Sequence, residues 1–115
     1  MTKLIPVTTL SKPEIGGPAP ERILSGNPQS RTWNSFESSD GCFFSGIWEA
    51  DAGSWEIQYT ESEFCHILEG VSIITDRAGN AVTVRKGDAF ALLIGFEGTW
   101  EVVETTRKHY AIYLP

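Results

Sequence analysis

No stretch of this chain repeats its apolar residues at three- and four-residue spacing over the length of a helix. Short runs of β-branched and aromatic residues recur instead, separated by glycines. That pattern commits the chain to an all-β fold. It predicts strands near 42–49, 55–60, 63–69, 71–76, 80–85, 89–94, 98–105 and 108–114, with Gly53, Gly70, Gly79, Gly87 and Gly95 between them. Glycine accepts the positive φ that tight turns require, and Asp76-Arg77-Ala78-Gly79 and Lys86-Gly87-Asp88 have turn composition. Many short strands joined in this way imply a sandwich or a barrel.

The first thirty residues differ. A first strand is expected over 4–9. Residues 11–30 then hold four of the six prolines and three glycines, with few large apolar side chains. We therefore divide the chain into an extended N-terminal strand and arm, 1–30, and a barrel, 31–115. Loops of this length inside a compact domain usually function or pack elsewhere, which leaves two readings: an arm that wraps the barrel or a partner subunit, and a loosely ordered surface arm.

The whole, at 115 residues with 41% hydrophobic and 21% charged, suits one globular domain. A net charge of −6 without any Lys/Arg run argues against nucleic acid and anionic membrane as partners. Cys42 and Cys65 are too few for a disulfide framework and form no Cys-x-x-Cys pair. The opening residues lack a signal-peptide core, and no stretch reaches the roughly 20 apolar residues of a membrane helix. A cytoplasmic protein with reduced thiols is expected.

Two stretches carry a recognisable grammar. One is Glu63-Phe64-Cys65-His66-Ile67-Leu68-Glu69-Gly70. The other runs from Lys86-Gly87-Asp88 through Gly95 to Trp100. Together they resemble the two motifs of the cupin superfamily, most closely the ureidoglycine aminohydrolase-like cupins, many of which have no assigned function. Gly46-Ile47-Trp48-Glu49 and Arg107-Lys108-His109-Tyr110 are similar to the same group. The resemblance covers about 31–114 and implies a cupin-type double-stranded β-helix, a jelly-roll barrel with an internal pocket, commonly found as a homodimer. It further implies a divalent metal held by two His and a Glu of the first motif and one His of the second.

Here the sequence departs from the pattern. If Glu63 is the motif's Glu, the histidine positions fall on Ile57 and Tyr59, or on Glu56 and Gln58. Trp55, Ile57 and Tyr59 share one strand face, and the apolar set belongs inside. A slip of one residue would bury Glu56 unpaired, which is costly. The second motif offers Gly98 and Trp100 where a histidine is expected. No metal and no other cofactor are therefore expected, since such sites need about three good ligands. The alternative, a hard cation held by Glu56, Gln58 and Glu63 through oxygen, requires the opposite register.

Glu63 is the candidate catalytic residue, because a carboxylate in an apolar pocket suits general acid–base chemistry. The plainer reading is a buried Glu satisfied by neighbouring hydroxyls and backbone. Ile57, Tyr59, Cys65 and Trp100 are the candidate ligand-binding residues, Tyr59 as a hydrogen-bond donor and Trp100 as a flat wall; core packing is the plainer reading for Tyr59 and Trp100 and the favoured one for Cys65. His66 alternates out of phase with Glu63 and should point outward, where Phe64 and Leu68 complete a half-apolar face suited to dimer packing. The facing of His109 stays open. Three functions follow: a cupin binding a small polar or amide-bearing metabolite, with hydrolase- or isomerase-like turnover as its enzymatic form; a non-catalytic dimeric ligand-sensing or structural cupin; and a metal-dependent enzyme with Glu/Gln ligands. The first leads to the expectation that Glu63→Gln abolishes binding with little loss of stability.

Overall fold

The computed structural model describes residues 3–115. Nine strands form, all paired antiparallel: β1 (Glu14–Gly16), β2 (Ile23–Gly26), β3 (Ser30–Glu37), β4 (Phe43–Ala50), β5 (Gly53–Gln58), β6 (Ser62–Asp76), β7 (Ala81–Arg85), β8 (Ala89–Leu92) and β9 (Glu97–Tyr113). One turn of 3₁₀ helix, Pro20–Arg22, is the only helical element among the described residues. Hydrogen bonding runs in the order β1-β3-β4-β9-β5-β2, and β6 joins β7, β8 and β9. The curled antiparallel sheet is a jelly-roll barrel, one of the two all-β architectures that the strand pattern allowed and the one that the motif resemblance implied.

Two long strands close the barrel. The first half of β6 pairs with β8 and the end of β9, whereas its second half pairs with β7 and the start of β9. The sequence suggested breaks at Gly70 and between 105 and 108, yet both strands run through. At Gly70 the β6 ladder shifts register and the backbone bends at φ 91°. Only glycine fits there, since a Cβ would lie 2.1 Å from the Thr105 carbonyl oxygen.

The N-terminal region is where the sequence expectation needs correction. Residues 4–9 form no strand. They run extended over the outer face of β3, where the Thr8 amide donates to Ser35 Oγ at 3.4 Å and Trp33 Nε1 donates to the Ser11 carbonyl at 2.9 Å. A β-like composition alone makes no strand, and the contacts here run through the Ser35 and Trp33 side chains rather than a backbone ladder. Conversely, β3 went unread as a strand. Within residues 11–30, β1 adds to β3 and β2 adds to β5, so the arm straps one end of the sheet to the other. Pro28 is buried in this strap.

The core gathers Ile67, Ile74, Val84, Leu92 and Val102 with Trp55 and Trp100. Trp100 packs against Phe90 on the core side and Trp48 on the other, at 6.0 and 5.7 Å between ring centroids. Beneath it lies a buried polar relay. Trp100 Nε1 donates to Ser72 Oγ at 3.1 Å, and Ser72 and Thr106 share a hydrogen bond of 2.7 Å. Burial without loss of hydrogen bonding is what keeps such groups tolerable in an apolar interior.

Candidate functional site in the barrel interior

The pleat of β5 places Trp55, Ile57 and Tyr59 toward the barrel interior. Glu56 and Gln58 are exposed on the other side, and the Gln58 amide donates to Glu97 at 3.2 Å. On β6, Glu63, Cys65 and Ile67 are buried, whereas Phe64 is half exposed. The oxygen set of Glu56, Gln58 and Glu63 therefore does not converge, because alternation puts two of its members outside.

Glu63 meets a partner that the sequence did not single out. Along β9, Trp100 and Val102, then Thr106, Lys108 and Tyr110, are buried on alternate positions, interrupted only at exposed Glu104. Lys108 sits opposite Trp48 and Ile67. Its stem reaches back along the sheet, and Nζ donates to Glu63 Oε2 at 3.0 Å and to Cys65 Sγ at 3.5 Å. The same ammonium lies over the faces of Trp48 and Trp100, 4.7 and 4.5 Å from their centroids. The other carboxylate oxygen, Glu63 Oε1, accepts from the Tyr59 hydroxyl at 2.6 Å. Both charges are almost wholly removed from water, at 5% and 7% side-chain exposure. Pairing and full hydrogen bonding offset the desolvation that would otherwise exclude them.

Protonation follows from this geometry. Burial alone would pull the Lys108 ammonium down, but the adjacent Glu63 charge overrides it and holds the group above its usual range. Burial first, and then Glu63, push the Tyr59 phenol up, so it remains a neutral donor. Burial pushes the Cys65 thiol up to about 12 against the opposing pull of Lys108. A thiol held protonated is a poor nucleophile, and Cys65 is fully buried beneath Lys108 rather than on the cavity wall.

Above the ion pair opens a cavity of about 510 Å³, lined among others by Trp48, Trp55, Ile57, Tyr59, Glu63, Trp100 and Lys108. Of the proposed site residues, Glu63, Ile57, Tyr59 and Trp100 face this space together, and Cys65 does not. The cavity also takes in Tyr110, whose hydroxyl donates to Asn34 Oδ1 at 2.6 Å and which burial pushes up to about 12. Lys108, Trp48 and Tyr110 are cavity-lining residues that sequence reasoning did not propose for the site. Extending the parity of Trp100 along one continuous strand would have found the first and last of these.

The metal chemistry that the cupin resemblance implies does not suit this donor set. Ile57 and Tyr59 stand at the histidine positions, and an ammonium already occupies the Glu63 carboxylate. Among the described residues no three His, Cys, Asp or Glu side chains are placed to share a cation. The two histidines lie elsewhere: His66 and His109 are register partners on the outer face, stacked with centroids 5.9 Å apart.

Comparison with known proteins agrees with the fold. The chain aligns over 92% of its length with a Pseudomonas syringae pv. tomato protein of unknown function in the DUF861 family, at 24% identity and a TM-score of 0.83. The match covers 46% of that protein, so the chain spans about half of its length. A DUF861 protein of Thermotoga maritima shares 36% identity over 56% of this chain and 73% of its own, with a TM-score of 0.54. The putative ethanolamine utilization protein Q of Salmonella typhimurium gives 16% identity and a TM-score of 0.66, over 74% of this chain and 69% of that one. No curated protein matches. The model of the EutQ-like cupin domain matches residues 37–110, which include β4 to β8 and the Lys108–Glu63 pair, and the chain belongs to that family.

Proposed function

We propose that this cupin binds a small polar metabolite in the barrel interior, on a floor made by Glu63, Lys108 and Tyr59. The observation that carries the reading is the buried Glu63–Lys108 pair at the base of an aromatic-walled cavity. A buried ion pair is a poor way to gain stability, and a pocket of this size with a few convergent polar groups is the usual form of a metabolite site. The same floor supports acid–base turnover of a hydrolase or isomerase type, with Glu63 accepting a proton and Lys108 keeping the carboxylate oriented.

Three of the four tryptophans line the cavity, which makes intrinsic fluorescence a direct reporter. A panel of small polar metabolites should contain compounds that change this fluorescence and raise Tm. The charge-free double variant Glu63→Gln/Lys108→Met should lose both responses. A broad panel that moves neither signal in the unaltered protein rejects the proposal.

A second reading rests on the outer face. Phe64 is 51% exposed beside half-buried His66 and Leu68, a surface suited to a second copy of the chain. Sedimentation of the protein and of a Phe64→Lys variant tests it, and a monomer in both cases sets it aside.

A further inference from the structure

Resting on the reading of the barrel as a metabolite site, we infer that its ligand is a small organic cation rich in hydrogen-bond donors, an amine or a guanidine. Charge balance gives the first reason. The lining contains the carboxylates of Glu14, Glu37, Glu61 and Glu63 and a single cation, Lys108. That ammonium is already committed to Glu63 at 3.0 Å and to Cys65 at 3.5 Å. An anion entering the cavity meets three further carboxylates and no free positive group, whereas a cation is drawn into a low-dielectric cleft of one sign.

The hydrogen-bond inventory supplies a second and independent reason. Tyr59 spends its only proton on Glu63 and Tyr110 spends its own on Asn34, each at 2.6 Å. Trp100 donates to Ser72 behind the wall. What these groups still offer the cavity is acceptor capacity: phenol oxygens and the remaining lone pairs of Glu63. At the cavity floor a ligand made of donors completes these acceptors; the lining's spare donors, on Thr32, Asn34, Trp48 and Trp55, come from β3, β4 and β5 instead. The rings fit the same chemistry, for Trp48 and Trp100 already hold one ammonium at 4.7 and 4.5 Å, and Trp55 continues the aromatic wall. The strap completes the site, since Glu14 arrives on β1.

Four probes with one butyl chain and different heads separate the possibilities: butylguanidinium, butylammonium, butyramide and butyrate. Tryptophan fluorescence and ligand-observed NMR at low salt report binding to the full chain. The two cations should bind at least tenfold more tightly than butyrate or butyramide. Their affinity should fall severalfold in Glu37→Gln/Glu61→Gln, whose side chains lie at the exposed or half-exposed rim and whose folding is checked by Tm. Equal or tighter binding of butyrate or butyramide overturns the inference while leaving the metabolite site standing. Binding of none of the four overturns both.

Discussion

Replacing Glu63 by Gln removes one charge and strands another. In the native barrel the Lys108 ammonium is 5% exposed and sits 3.0 Å from Glu63 Oε2. Without that carboxylate it must either stay charged in an aromatic pocket or lose its proton. Breaking a buried pair in this way costs about 3–5 kcal/mol. Deprotonation sets a ceiling on the loss. Neutralising a lysine of ordinary pKa 10.5 costs about 1.4 kcal/mol for each unit that pH lies below it, hence about 5 kcal/mol at pH 7 and about 2 kcal/mol at pH 9. The sign is fixed by linkage. In the unaltered protein the raised Lys108 pKa contributes stability that is complete below 10.5 and is lost only as pH climbs through the folded value. In the variant burial acts alone, the folded pKa drops below 10.5, and stability rises with pH toward that value. Urea unfolding of both proteins at pH 7 and pH 9 measures the difference, which should shrink by about 1–3 kcal/mol between the two. Glu63→Gln/Lys108→Met should recover most of the loss at pH 7, since replacing both charges is often neutral. A single variant within about 1 kcal/mol of the parent at pH 7, with no dependence on pH, refutes this account of the pair. The sequence by itself suggested that Glu63→Gln would spare stability, and Lys108 is why it should not.

Two further outcomes follow from groups away from the cavity floor. Ser72→Ala leaves the Trp100 Nε1 proton without its buried acceptor, while Thr106 still donates to the Glu104 carbonyl, and should cost about 1–3 kcal/mol by urea unfolding, whereas Ser72→Thr should keep the hydroxyl but crowd a site with no exposure. Burial, then the neighbouring His66, hold His109 below its usual 6.5. The folded state therefore resists protonation, and this contribution to stability is present above 6.5 and lost as pH falls through it. Tm should decline from pH 7.5 to 5.5, and His109→Gln should flatten part of that decline; an identical slope in the variant removes His109 from the explanation.

Much of the barrel was legible because strand alternation is local. Trp55, Ile57 and Tyr59 against Glu56 and Gln58 is a pattern of hydrophobicity alone, and the pleat placed each where that pattern indicates. Cys65 and His66 sort to opposite faces by the same parity. Edge pairing was not legible in this way. The segment at 4–9 has the composition of a strand but pairs with no strand, whereas the Pro- and Gly-rich stretch supplies β1 and β2 along the edges of β3 and β5. Lys108 was missed for a related reason. A lysine on a strand is ordinarily solvated, and only a carboxylate 45 residues away makes its burial tolerable.

The sequence determined the all-β class, the glycine turns and which side chains of β5 and β6 face inward, because these depend on neighbours one or two residues apart. Only the tertiary structure decided that an ammonium closes the floor of the cavity and that the arm straps the sheet. Both depend on distant segments meeting, and the desolvation of Lys108 and Glu63 is balanced only when β6 and β9 lie side by side.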